Sequence, residues 1–125
     1  MSRHRPAEVL DRLFADLHPD APVFDYASEL VNGVVRHKAE IDRWIVHLAP
    51  AWPIDQMSAV DRNLLRLGIF EALYNSSKIP VRVAISEAVE LAKLFGSENS
   101  SKLINGVLGR AVAESSNHLP QPRSE

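Results

Sequence analysis

Apolar residues along this chain recur at intervals of three and four, and almost nowhere at intervals of two. In residues 6–17, Val9, Leu10, Leu13, Phe14 and Leu17 fall on one stripe of a helix, because 3.6 residues per turn bring such positions to a common face. Pro6 suits the first turn of that helix, where a missing N–H costs no intrahelical bond. His18 to Pro22 reads as a break. A second helix is predicted from Asp25 to about Arg36, with Tyr26, Leu30, Val31, Val34 and Val35 inward. A third, over about 38–48, turns Ile41, Trp44, Ile45 and Leu48 inward. Pro50 to Pro53 form a connector. Ser58 stands three residues before Asp61 and reads as a helix N-cap. The helix it opens carries Leu64, Leu65, Leu67, Ile69, Phe70, Leu73 and Tyr74. Those positions cover more than one face, so this helix is expected at the centre of the fold. Asn75 to Lys78 is a loop, and Pro80 starts a helix that runs through Phe95. Gly96 stands where a left-handed C-cap residue is expected, and a last helix spans about Ser100 to Glu114. Ile79 to Ile85 comes nearest to strand-like alternation, but a proline-initiated helix explains it better. The prediction is an all-α fold, a compact bundle of about six helices with short connections. One domain is expected over residues 1–114. A flexible C-terminal tail is expected over 115–125, which holds two prolines and little apolar content.

Composition narrows the picture. A chain of 125 residues buries a sizeable core as one domain without staples. Its 46% hydrophobic and 24% charged residues are those of an ordinary globular protein. The absence of cysteine excludes disulfides, thiolate catalysis and zinc–cysteine sites, and suits a reducing cytoplasm. No apolar run nears the ~20 residues of a membrane helix, and the charges of Met1 to Pro6 are followed by no signal-peptide core. Neither a membrane nor export is expected, and the predicted location is cytoplasmic. A net charge of −2 does not advertise nucleic-acid binding. Any RNA contact must come from a local basic patch on a mildly acidic body.

Catalytic and metal chemistry find no foothold. Gly33, Gly68, Gly96, Gly106 and Gly109 match neither the P-loop nor the dinucleotide-binding pattern. His4, His18, His37, His47 and His118 form no i, i+4 pair and no metal-binding motif. No serine sits in a nucleophile elbow. Glu87 and Glu90 share a helix face, but with Arg82 and Lys93 nearby they read as surface ion pairs rather than a catalytic pair. Gly106-Val107-Leu108-Gly109 places small residues on one helix face, which close helix packing explains. No metal, no cofactor and no enzymatic activity are expected.

Two stretches carry a specific resemblance. The first runs from Pro80-Val81-Arg82-Val83-Ala84-Ile85-Ser86-Glu87-Ala88-Val89-Glu90-Leu91-Ala92-Lys93 through Phe95-Gly96 and a serine-rich turn to Lys102-Leu103-Ile104-Asn105-Gly106-Val107-Leu108. It resembles the hallmark of the NusB transcription-antitermination family, a Pro-x-x-Val-Ala-Ile-Asn-Glu-Ala-Val-Glu-Leu-Ala-Lys helix, Phe-Gly, a short acidic-serine turn and a Lys-Phe-Val-Asn-Gly-Val-Leu helix. The second, Val60 to Glu71, is similar to the family's central helix, and Tyr26 to Val34 to the helix before it. The match covers about residues 8–112.

The resemblance implies a helical, non-catalytic protein with paired partners. These are boxA-type single-stranded RNA of ribosomal RNA leader transcripts and the NusE-type ribosomal protein, within the RNA polymerase antitermination complex. Carried over by position, it implies an RNA face of Lys102, Asn105, Ser100, Ser101, Phe95 and Phe70. Cations, aromatic platforms and helix-end N–H groups are what single-stranded RNA is held by. It also implies a partner-protein face of Asp61, Arg62, Arg66, Glu71, Glu98 and Asn99. Read from periodicity alone, Phe70 and Phe95 fit core positions, and Arg62, Arg66 and Glu71 fit a solvated face.

Several features depart from the family pattern. Its arginine-rich first helix ending in Ala-Leu-Tyr is not found; Arg3-His4-Arg5 with Leu13-Phe14 is at most a degenerate copy, and residues 8–17 align better with the second helix. Each lost phosphate contact removes a salt-dependent share of affinity. A monomer or a homodimer is expected, the latter if the missing helix leaves an apolar groove open. Ser86 stands for the family's asparagine, Leu103 for its aromatic residue and Asn99 for its aspartate. An alternative implied by the same resemblance is a detached NusB-like RNA-binding domain of a ribosomal RNA cytosine methyltransferase. Nothing in these residues would itself bind a methyl donor.

Overall fold

The computed structural model describes residues 21–75 and 78–116. The helix expected over 6–17, most of the break after it and residues 117–125 lie outside the described residues. What is described is all-helical. Helix α1 spans Ala21–Leu48, and a 3-10 turn at Ile54–Gln56 follows. Helix α2 spans Ala59–Ile69 and passes into a π-helical turn at Phe70–Tyr74. Helices α3, Val81–Phe95, and α4, Ser100–Ser116, complete it. The last helix thus runs two residues past the expected end at Glu114, into what was expected to be tail.

The two helices expected on either side of residue 37 are one element. The division survives as a kink, where His37 leaves helical geometry at φ −107°, ψ 15°. The His37 ring covers the π-turn, 4.7 Å from the Tyr74 ring and 6.1 Å from Phe70. One turn earlier, Gly33 makes room for this cluster, because a Cβ there would overlap the Phe70 ring. Phe70 and Tyr74 stack on each other at 5.8 Å, with an interplanar angle of 12°.

Helix α2 is the central element, packed against α1, α3 and α4, as its two-faced apolar pattern predicts. Ile41 and Ile45 of α1, Leu65 and Ile69 of α2, and Ile104 and Leu108 of α4 are fully buried and form the core. Burying each such side chain stabilises the fold by on the order of 1.5–3 kcal/mol. Helix α3 lays Ala84, Ala88 and Ala92 inward, and these small side chains let it approach α4 closely. Val35, expected inward, is exposed, because the α1 surface beyond Val34 has no described element packed over it.

Polar contacts set the helix ends and the angles between helices. Ser58 Oγ accepts the Asp61 N–H at 3.1 Å, the predicted N-cap of α2. Arg62 donates to the carbonyls of Ile54 (3.3 Å) and Met57 (3.0 Å), fastening the 3-10 turn to α2. Arg66 forks onto Asp42 at 2.9 and 3.1 Å and joins α2 to α1. At the far end, His47 and Arg110 both meet Glu114 at 2.7 Å, and Arg110 also donates to the Leu48 carbonyl at 2.9 Å. That clasp ties α4 to the end of α1.

Candidate nucleic-acid interface

The turn between α3 and α4 is built by serines and a glycine. The Ser97 N–H donates to Ser100 Oγ at 2.8 Å, and the Ser100 N–H returns a bond to the Ser97 carbonyl at 3.1 Å. The first bond is the side-chain-to-backbone half of a capping box and the second closes a backbone turn, and together they start α4. Gly96 is not left-handed as expected, since its φ is −96° in extended backbone. It is needed for space: a Cβ would lie 2.5 Å from Ser100 Cβ and Oγ and 2.8 Å from the Ala92 carbonyl oxygen.

With α4 started there, its first two turns face the middle of α3 across an open groove of about 520 Å³. Lys102, Ser101 and Asn105 line one wall, Arg82, Ser86 and Glu90 the other, and Ile85 and Val89 the floor. Glu90 is already matched by Lys93 at 3.3 Å. Arg82 and Lys102 are exposed and, among the described residues, hold no ion pair. The ion pair expected between Arg82 and the glutamates of α3 does not form, and its guanidinium is left at the groove. The arrangement is two cations over an apolar floor with hydroxyl and amide groups between them, suited to a phosphodiester chain with bases turned inward.

Three members of the expected RNA face are thereby brought together: Lys102, Ser101 and Asn105. Ser100 is not available as expected. It is 1% exposed and its hydroxyl is taken up in the turn, so its contribution is to shape the helix start. Phe70 is likewise corrected. At 7% exposure, between Gly33, His37 and Tyr74, it has no free face for a base. Phe95 is 67% exposed at the end of α3 but does not line the groove.

The expected partner-protein face is divided. Arg62 and Arg66 spend their guanidinium groups on internal bonds. Glu71 is 7% exposed and accepts from the Tyr26 hydroxyl at 2.6 Å. Burial raises the Glu71 carboxyl, the Tyr26 bond lowers it, and the charge of Glu87 raises it further, leaving it above the ordinary range. These three are internal linchpins rather than free contacts, because each is the polar partner that another buried group requires. Asp61 is half-buried at the start of α2, and Glu98 and Asn99 are exposed in the α3–α4 turn.

Sequence reasoning passed over Arg82, treating it as one side of a surface pair; its position one turn before Ser86 was the available signal. It also passed over Trp52, which is 56% exposed in the α1–α2 connector. Among the described residues, no group of three or more His, Asp or Glu is placed to hold a metal ion, and no helix is long and apolar enough to cross a membrane.

The NusB family model matches residues 2–113. The chain belongs to the NusB family. It is 42% identical over 120 residues to the transcription antitermination protein NusB of Dehalococcoides mccartyi strain CBDB1, covering 94% of this chain and 83% of that one. Against the NusB protein of Kineococcus radiotolerans the identity is 48% over 110 residues, covering 87% and 77%. A chain in a crystal structure of antitermination factors NusB and NusE in complex with double-stranded RNA superposes at a TM-score of 0.77. The identity there is 31%, over 89% of this chain and 82% of the other. Curated NusB relatives are named as transcription antitermination proteins; this chain is a non-enzymatic member of their family.

Proposed function

We propose that this NusB-family chain is a cytoplasmic transcription antitermination factor. It binds boxA-type single-stranded RNA of ribosomal RNA leader transcripts jointly with the NusE-type small-subunit ribosomal protein, and so enters the RNA polymerase antitermination complex. The observation that carries this reading is the α3–α4 groove, where Arg82 and Lys102, unpaired among the described residues, stand above Ser86, Ser101 and Asn105. Cations without internal partners gain most from a polyanion, since nothing has to be broken before the phosphate arrives. The relatives' name supports antitermination, and a structural neighbour that holds NusB, NusE and double-stranded RNA supports RNA and a NusE-type protein as partners.

Lys102, Arg82, Ser101 and Asn105 are assigned to the RNA, with Phe95 at the exposed end of α3 as an outlying aromatic contact. Asp61, Glu98 and Asn99 are assigned to the partner protein. The deciding experiment is fluorescence anisotropy of a labelled boxA-type RNA, at low salt, with and without the NusE-type protein. Binding is expected to tighten when both proteins are present, and to weaken for an RNA of scrambled sequence. Absence of binding at low salt with the partner present overturns the reading.

A further inference from the structure

A second hollow, about 450 Å³, lies on the opposite side of Lys102 from the groove. Its walls are the connector after α1, with Trp52 and Pro50, and the outer face of α4, with Lys102, Leu103, Gly106 and Arg110. We infer that this hollow seats an unstacked base of single-stranded RNA against the Trp52 indole, continuing the path of the strand across Lys102. The inference rests on the RNA-binding reading above and extends it to a site of different chemistry.

Three observations support it. First, Trp52 is 56% exposed, whereas the other tryptophan, Trp44, is 2% exposed and belongs to the core. The Trp52 indole therefore has a broad apolar face open to a planar ligand. Second, the hollow is pre-shaped. The Trp52 backbone N–H donates to the Ala49 carbonyl at 3.0 Å, and the next turn is closed by the Gln56 backbone N–H to the Pro53 carbonyl at 2.9 Å. Arg110 pins the opposite wall to the Leu48 carbonyl at 2.9 Å. Third, Gly106 sits inside α4, where glycine costs about 1 kcal/mol against alanine. Close packing, the expected reason for it, does not hold, because a Cβ there would meet nothing within 4 Å. What the missing side chain leaves is the open floor of this hollow.

Charge selects the occupant. Among the described residues no acidic side chain lines the hollow, and Lys102, shared with the groove and without an ion pair there, is placed to hold the phosphate between the two sites. An indole beside a free ammonium fits a base and its phosphate.

The test uses the full chain with fluorescein-labelled boxA-type RNA and the NusE-type protein. Trp52 dominates solvent-quenchable emission because Trp44 is buried. RNA at saturation is expected to quench that emission and protect it from acrylamide. Trp52→Ala is expected to weaken RNA binding by roughly 5- to 150-fold, the range for one lost base–aromatic stack, and Trp52→Phe to recover most of it. Gly106→Leu, which fills the hollow from a position where a Cβ meets nothing within 4 Å, is expected to weaken RNA binding without lowering the urea midpoint. Wild-type affinity in Trp52→Ala or in Gly106→Leu, or unchanged emission on an RNA that anisotropy shows to be bound, overturns the stacking site and leaves RNA binding standing. Quenching by the NusE-type protein without RNA makes the hollow a protein interface and also overturns it. If the wild-type chain binds no RNA at all, both readings fall together.

Discussion

Replacing Arg66 by methionine separates a structural arginine from an interface arginine. The guanidinium makes two charged hydrogen bonds to Asp42, at 2.9 and 3.1 Å, with the side chains 15% and 21% exposed. Truncating one partner of a largely buried pair costs about 3–5 kcal/mol. Here Lys38 stays on Asp42 at 3.1 Å and some solvent reaches the carboxylate, so the expected loss is about 2 kcal/mol. Methionine keeps an apolar stem of similar length where Arg66 borders the hollow it shares with Val31 and Val34, so the loss reports the ion pair rather than a cavity. In urea, with a slope of about 1.5 kcal/mol/M, the midpoint falls by about 1.3 M. A cycle with Asp42→Asn is expected to give a coupling of about 1–2 kcal/mol.

The acid limb offers a second readout. Burial raises the Asp42 carboxyl, but Arg66 and then Lys38 more than offset this and hold it below its ordinary 3.8. A depressed folded-state value means stability that is complete above 3.8 and is lost as pH falls through the folded value. Arg66→Met flattens that loss. A stability change under about 0.5 kcal/mol, additivity in the cycle, and selective loss of NusE-type partner binding would together refute the structural role.

Lys102→Ala and Arg82→Ala are each expected to lower the slope of log K against log salt by about 0.7 and to weaken RNA binding about 5-fold at 0.1 M salt; unchanged slopes would remove those residues from the phosphate path. Gly33→Ala pushes a methyl into the Phe70 ring and is expected to cost about 1–3 kcal/mol in thermal or urea unfolding, with full stability counting against the packing described. Glu71 has the opposite pH sign to Asp42. Its folded-state value is raised above 4.5, so it favours folding at low pH and this contribution is lost as pH rises through the folded value. Glu71→Gln is expected to remove that decline from a pH series of urea midpoints, and a series that superposes on wild type would contradict it.

The apolar periodicity was enough to place α2 at the centre, Ser58 at its start, Pro80 before α3 and Ile41, Trp44, Ile45 and Leu48 in the core. These are local properties, set by which side chains share a helix face and which residue can close a first turn. The family resemblance, carried by the run from Pro80 to Leu108, is local in the same sense.

Side-chain availability was decided elsewhere. Arg62, Arg66 and Glu71 look like solvated helix charges in sequence, yet Ile54, Asp42 and Tyr26 claim them from positions 8, 24 and 45 residues away. Phe70 and Phe95 fit the same apolar pattern, but only Phe70 meets Gly33 and His37 across the bundle, while nothing described covers Phe95. Trp52 becomes noticeable only when the α1–α2 connector is set against α4, and Arg82 faces Lys102 only because α3 packs beside α4. A helix-forming pattern specifies which face turns inward. Which polar groups on the outer faces find partners depends on distances between elements far apart in the chain, and only the packed fold sets those distances.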